Sequence, residues 1–184
     1  MKKLLTVLFV LALVFAGCSI IQPPVVDHSD TVEYYAASTT TTMYDFDQAG
    51  PSGFWISNAE TGQGEAISVT GNGGVIDFYY NDRDYSAGAY FVSADGDSAV
   101  YYWGSTNDPK TTYFEVITDT SVTTAPATMT GISVVVNADA WYWVKFENGH
   151  YAKLHITEYA SPYDYVKFEY WYQTDGTRYF GVEE

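Results

Sequence analysis

Two stretches decide the fold: Tyr151-Ala152-Lys153-Leu154-His155-Ile156-Thr157 and Tyr165-Val166-Lys167-Phe168-Glu169-Tyr170-Trp171-Tyr172. In the first, Ala152, Leu154 and Ile156 take the even positions while Lys153 and His155 take odd ones. In the second, Val166, Phe168, Tyr170 and Tyr172 alternate with Lys167 and Glu169. Side chains of a strand point to opposite faces with a period of two, so each stretch reads as a strand with one apolar face and one wet face. Upstream, Tyr142, Val144 and Phe146 alternate in the same way with Lys145 and Glu147. Asn148-Gly149 follows, a pair that tolerates the positive φ of a tight hairpin. Three such strands in succession predict an antiparallel meander laid over a core.

Outward from there, the chain from Phe54 onward is strand after strand with turn punctuation. The expected strands are Phe54–Ser57, Glu65–Thr70, Gly74–Tyr80, Ala87–Ser93, Ala99–Trp103, Thr112–Thr118, Gly131–Val136, Trp141–Glu147, Tyr151–Glu158, Tyr165–Tyr172 and Thr177–Val182. Asp95-Gly96 and Asp175-Gly176 supply further turns, and no stretch carries a helical period. The fold class is therefore all-β, antiparallel strands in a two-layer sandwich or meander, over residues 54–184. Tyr (18), Phe (10) and Trp (5) are abundant. Such rings fill half-buried sheet positions, and their faces also stack on sugars and flat macrocycles.

The opposite end reads as an address. Met1-Lys2-Lys3 and an apolar run to Gly17 form a basic n-region and an h-region shorter than the roughly 20 residues a spanning helix needs. The run closes on Phe15-Ala16-Gly17-Cys18, which resembles the lipobox of bacterial lipoproteins, although Phe15 stands where Leu is commoner. That resemblance implies removal of residues 1–17 and acylation of Cys18. An ordinary secretory signal is the alternative, but Cys18 is the chain's single cysteine and could close no internal disulfide. Ser19 rather than Asp after the cysteine implies sorting to the outer membrane if the host has one. Residues 18–53, with Pro23-Pro24, His28 and the run Ser38–Thr42, read as acylated N-terminus and flexible tether, with a first strand near Val32–Tyr35.

Charge narrows the partners. The chain holds 23 acidic and 8 basic residues, and loss of Lys2 and Lys3 with the signal takes the formal charge from −15 to about −17. That balance argues against nucleic acid and against an anionic bilayer surface as partners; contact with the membrane runs through the lipid. Asn81-Asp82-Arg83-Asp84 and Asp95-Gly96-Asp97 lack the D-x-D-x-D-G spacing of a self-contained calcium loop and read as solvated turns. No G-x-S-x-G or H-E-x-x-H stretch occurs, and no acid–base pair is set by spacing, so no enzyme is expected.

Trp143-Val144-Lys145-Phe146-Glu147-Asn148-Gly149-His150-Tyr151-Ala152-Lys153-Leu154-His155-Ile156 resembles the C-terminal hairpin of HmuY-like proteins, where a "G-K-Y-A-K-L" stretch recurs. Val166–Gly176 is similar to the last hairpin of that family, with its aromatic-Gln and Asp-Gly turn, and Ile76-Asp77-Phe78-Tyr79 is faintly similar to an earlier Trp-Asp strand. The resemblance implies an acyl-anchored outer-membrane protein. It also implies haem as a cofactor in some members, held by His or Met and passed to an outer-membrane receptor. His150 and His155 fall at wet positions and read as surface residues. Met129, in an irregular stretch, is the residue whose thioether could reach a ligand, and is otherwise a core gap-filler. Two functions stay open: a HmuY-type binder of haem or another flat ligand, and an envelope lipoprotein that contacts a protein or a glycan.

Overall fold

The computed structural model describes residues 34–36, 41–45, 50–81, 88–96, 109–160 and 165–181. All of them belong to one unit, Val32–Glu184. The assignments made for residues 1–17, Cys18, Ser19, His28, Asp82–Asp84, Asp97 and the strand Ala99–Trp103 lie outside the described residues.

Eleven strands are described: β1 Tyr34–Ala36, β2 Thr41–Tyr44, β3 Gly53–Asn58, β4 Gln63–Ile67, β5 Phe78–Asn81, β6 Tyr90–Ser93, β7 Tyr113–Ile117, β8 Ser133–Val135, β9 Trp141–Lys145, β10 Tyr151–Tyr159 and β11 Tyr165–Gln173. The protein is all-β, as expected. One antiparallel sheet runs β1-β11-β10-β9-β7, with β2 also on β11; the second runs β4-β3-β5-β6-β8. They pack as a sandwich whose core takes Phe54, Phe78 and Phe91 from the second sheet and Phe114, Val144, Leu154 and Phe168 from the first.

The alternation that predicted β9, β10 and β11 is what fills this core. Tyr142, Val144, Ala152, Leu154, Ile156, Val166, Phe168, Tyr170 and Tyr172 are all buried, and their odd-numbered neighbours face the other way. Phe78 meets Phe91 and Phe114 edge-on at 5.2 and 5.5 Å, and Phe54 meets Phe168 edge-on at 5.4 Å. Each such pair adds about 0.5–1.5 kcal/mol beyond the area it buries. The sheets are also tied by polar contacts: the Gly64 N–H donates to the Tyr170 hydroxyl at 2.7 Å, and the Tyr142 hydroxyl donates to the Val135 carbonyl at 2.8 Å. A Cβ at Gly64 would lie 2.5 Å from the Phe54 ring, so only glycine lets the strand approach this closely.

The turns carry the predicted chemistry. Gly149 has φ 85°, and the Phe146 N–H donates to the His150 carbonyl at 2.9 Å across it. Gly176 has φ 72°, and the Asp175 carboxylate accepts from the Thr177 N–H at 2.8 Å.

Three expectations change. The run read as tether contains β2, whose Thr41–Tyr44 backbone pairs with Tyr165–Phe168. Met43, opposite Val166, is 0% exposed and belongs to the main core, so the folded part holds a second methionine besides Met129. Two threonines, β-branched and free to face solvent, need only that one apolar neighbour to hold a strand. The described part of the expected strand Thr177–Val182, residues 177–181, is not a sheet strand. It crosses the outside of the six-stranded sheet and meets the 119–130 connection instead. There Ala125 N–H donates to the Arg178 carbonyl at 2.8 Å and Phe180 N–H to the Thr123 carbonyl at 2.6 Å. Gly74–Tyr80 shortens to β5, because residues 71–75 form a turn that tucks Ile76 under the second sheet.

Candidate ligand-binding face

Odd-numbered positions of β9, β10 and β11 share the outer face of the six-stranded sheet, and the register arranges them in rows across the strands. One row reads Glu115, Trp143, Lys153, Trp171; the next reads Ile117, Trp141, His155, Glu169. Three of the five tryptophans therefore stand on one face within a few ångströms of each other. Trp141 stacks on His155 with centroids 4.1 Å apart and planes at 9°, and on Trp171 at 5.4 Å and 21°. The Lys153 ammonium lies 4.7 Å from the Trp141 ring centre and 5.6 Å from that of Trp143. Burial among these rings lowers the Lys153 pKa from its ordinary value.

Part of the face is roofed. Ile117, Ala125, Met129, Trp143, Tyr151 and Phe180 form a separate apolar cluster where the 119–130 connection and the C-terminal segment lie on the sheet, with Phe180 5.0 Å from Trp143. Beside this roof a crevice of about 190 Å³ opens between β7 and residues 119–126, with Trp143 at its floor. Trp141 and Trp171 pack against the roofed cluster and, like Lys153 and His155, stay half-buried.

Comparison with protein-family models, with curated proteins and with solved structures finds no match to this chain.

Met129 is 5% exposed inside the roofed cluster, where it packs as a gap-filler does. His155 holds its wet-face position but is engaged on two sides, by Trp141 and by Asp139, whose Oδ1 is 2.9 Å from Nε2. Asp139 reaches it from a left-handed backbone position, φ 58°. His150 stacks on Tyr172 at 5.4 Å, and its Nδ1 lies 2.9 Å from the Gln173 carbonyl oxygen, where a ring N–H can donate. The three residues are thus not brought together on one open ligand position. Among the described residues no cluster of three or more His, Cys, Asp or Glu is placed to hold a metal ion. Asp95 is committed within the protein: its carboxylate accepts from the Ser93 and Thr111 hydroxyls, each at 2.5 Å.

A second polar centre lies at the end of the sandwich, one that sequence reasoning missed. Asp77, its side chain 6% exposed, accepts from Lys110 Nζ at 3.0 Å and from the Ile56 N–H at 2.7 Å. Burial raises its pKa above the usual carboxylate value against the opposing pull of Lys110. The neighbouring cavity holds about 90 Å³ and is bounded by Ile56, Phe146 and Glu147. Both Asp77 oxygens are spent on the protein, and the Thr112 hydroxyl donates to the Asp77 carbonyl at 2.8 Å. The arrangement is a staple between β3, β5 and the approach to β7. Asp77 and Lys110 are 33 residues apart, with no spacing signal to join them. The tryptophan rows did have a signal, since Trp141, Trp143 and Trp171 occupy the same odd positions as the charges.

Proposed function

We propose that the chain is an envelope lipoprotein, anchored through Cys18, whose β-domain binds a ring-bearing ligand without catalysing a reaction on it. The observation that carries the binding part is the half-exposed group Trp141, Trp171, Lys153 and His155 on the outer face of the six-stranded sheet. Large rings are normally drawn into a core; here Trp141 and Trp171 stay partly exposed, although Trp143 beside them is buried and the main core is filled with Phe and Tyr. Ring faces attract the CH-rich face of a sugar or the plane of a flat ligand. The anchor rests on Met1–Cys18 and on the single cysteine. The HmuY-like resemblance supports the same reading, because its segments are the strands that build this face.

Titration of the detergent-extracted full chain with soluble glycans and with haemin, read by tryptophan fluorescence and by the Soret band, tests the binding part. The expected result is saturable quenching by a glycan that Trp171→Ala weakens at least tenfold. A saturable Soret shift that Met129→Ala abolishes would select haem instead, and would require Met129 to leave its cluster. A face that responds to neither ligand class refutes the reading. For the anchor, Cys18→Ser is expected to abolish incorporation of labelled palmitate and release the chain from the membrane fraction; a variant that still takes up palmitate and stays in the membrane fraction overturns it.

A further inference from the structure

The charges on the outer face narrow the ligand. Four lysines are described. Lys110 pairs with Asp77 and Lys167 with Glu158, at 3.0 and 2.6 Å. Lys145 and Lys153 have no carboxylate partner among the described residues, and both lie over rings of this face. Lys145 stands 6.0 Å from the Tyr113 ring centre and 5.8 Å from that of Tyr151. Glu115 and Glu169 share this face, but neither is paired with these two lysines, and Asp139 is spent on His155. Two ammonium groups held on ring faces, one strand and two positions apart, are roughly 8 Å from each other at the backbone. A ring face holds a cation by its quadrupole and leaves the outward N–H groups without acceptors from the protein.

We propose, building on the ligand-binding reading above, that this face takes an acidic glycan: Lys153 pairs with the carboxylate of a uronic-acid unit while Trp171 stacks on its sugar ring. Trp171 makes its one described ring contact with Trp141, whereas Trp141 is already engaged by His155 and Lys153 and so serves to position them. Lys145, on the neighbouring strand, meets a second carboxylate further along the polymer. A strip of sheet face beside the roof, with rings next to cations that have no carboxylate partner among the described residues, suits an extended chain that alternates sugar rings with carboxylates. The partial desolvation of Lys153 strengthens its attraction for an anion.

The test uses the full chain in detergent, a galacturonate hexamer, and the same hexamer with its carboxylates methyl-esterified. Binding is read by calorimetry and tryptophan quenching. The acid is expected to bind at least tenfold more tightly than the ester, with an advantage that shrinks as salt is raised. Lys153→Met keeps the apolar stem and is expected to weaken binding of the acid roughly ten- to a hundredfold, as loss of a charge-assisted hydrogen bond does. The same variant should lose far less affinity for the ester than for the acid, and Lys153→Arg should restore most of the affinity for the acid. Equal binding of acid and ester, or a Lys153→Met chain that binds the acid as wild type does, overturns the acidic-glycan assignment and leaves the ring face as a binding face. Failure of acid and ester alike, in a chain that binds another ligand in a way Trp171→Ala weakens, overturns it as well; failure with every ligand removes the reading underneath.

Discussion

Lys110→Met should destabilise the protein in a strongly pH-dependent way. The substitution keeps the stem that lies against Trp55, 6.0 Å from ring centre to ammonium, and deletes only the charge that faces Asp77. At pH 7 the variant must either bury an uncompensated carboxylate or protonate it. Protonating a group of ordinary pKa 3.8 at pH 7 costs about 4 kcal/mol, which caps the penalty. Breaking a buried pair typically costs 3–5 kcal/mol, and the Ile56 N–H still holds the second oxygen, so a loss of about 3 kcal/mol is expected. At pH 4.5 the same cap falls to roughly 1 kcal/mol. The wild type shows the same sign more weakly. Because burial raises the folded pKa of Asp77 above its unfolded value, its contribution is full below about pH 3.8 and is lost as pH rises through the folded value. Removing Lys110 raises that value further and moves the loss to higher pH. Urea unfolding followed by tryptophan fluorescence at both pH values measures the difference. A Lys110→Met penalty that stays the same from pH 4.5 to pH 7 would refute the charge-pair account.

Two further stability changes follow from single contacts. Gln173 is 0% exposed and neither atom of its side-chain amide has a hydrogen-bond partner, so Gln173→Met should stabilise by about 1 kcal/mol and raise the Tm by roughly 2–4 °C; an unchanged or lower Tm in calorimetry counts against it. Tyr170→Phe strands the Gly64 N–H between the sheets and should cost about 1–2 kcal/mol in urea unfolding, whereas a neutral result would mean that water reaches that amide.

How much of this was legible depends on what each residue does locally. β9, β10 and β11 could be read because a strict period of two leaves one register that buries Val144, Leu154 and Phe168 together. β2 could not, since Thr41 and Thr42 look like linker and the single inward residue, Met43, makes no period. Arg178-Tyr179-Phe180 look like strand residues, and they do pair, but with Thr123–Ala125 over the sheet rather than in it. Long-range pairing partners of that kind leave no local trace. The wet face of β10 and β11 was placed correctly for Lys153, His155 and Lys167. That Trp141, Trp143 and Trp171 share it follows from the same parity, though the stacking of Trp141 on Trp171 depends on strand order, which parity does not contain.

The strands at the margin of the six-stranded sheet carry one more consequence. β1 and β2 both lie along β11, with Tyr34 opposite Gln173 and Tyr44 opposite Tyr165. The earliest described strands are thus held by the last one, across almost the whole described chain. Loop closure of that length must be met before those contacts give anything back, which places the domain among slow-folding, high-contact-order topologies. A ribosome that releases this chain from its N-terminus releases β1 and β2 long before their partner exists. The sheet can be finished only once β11, Tyr165–Gln173, has emerged, so β1 and β2 wait for their partner through most of synthesis.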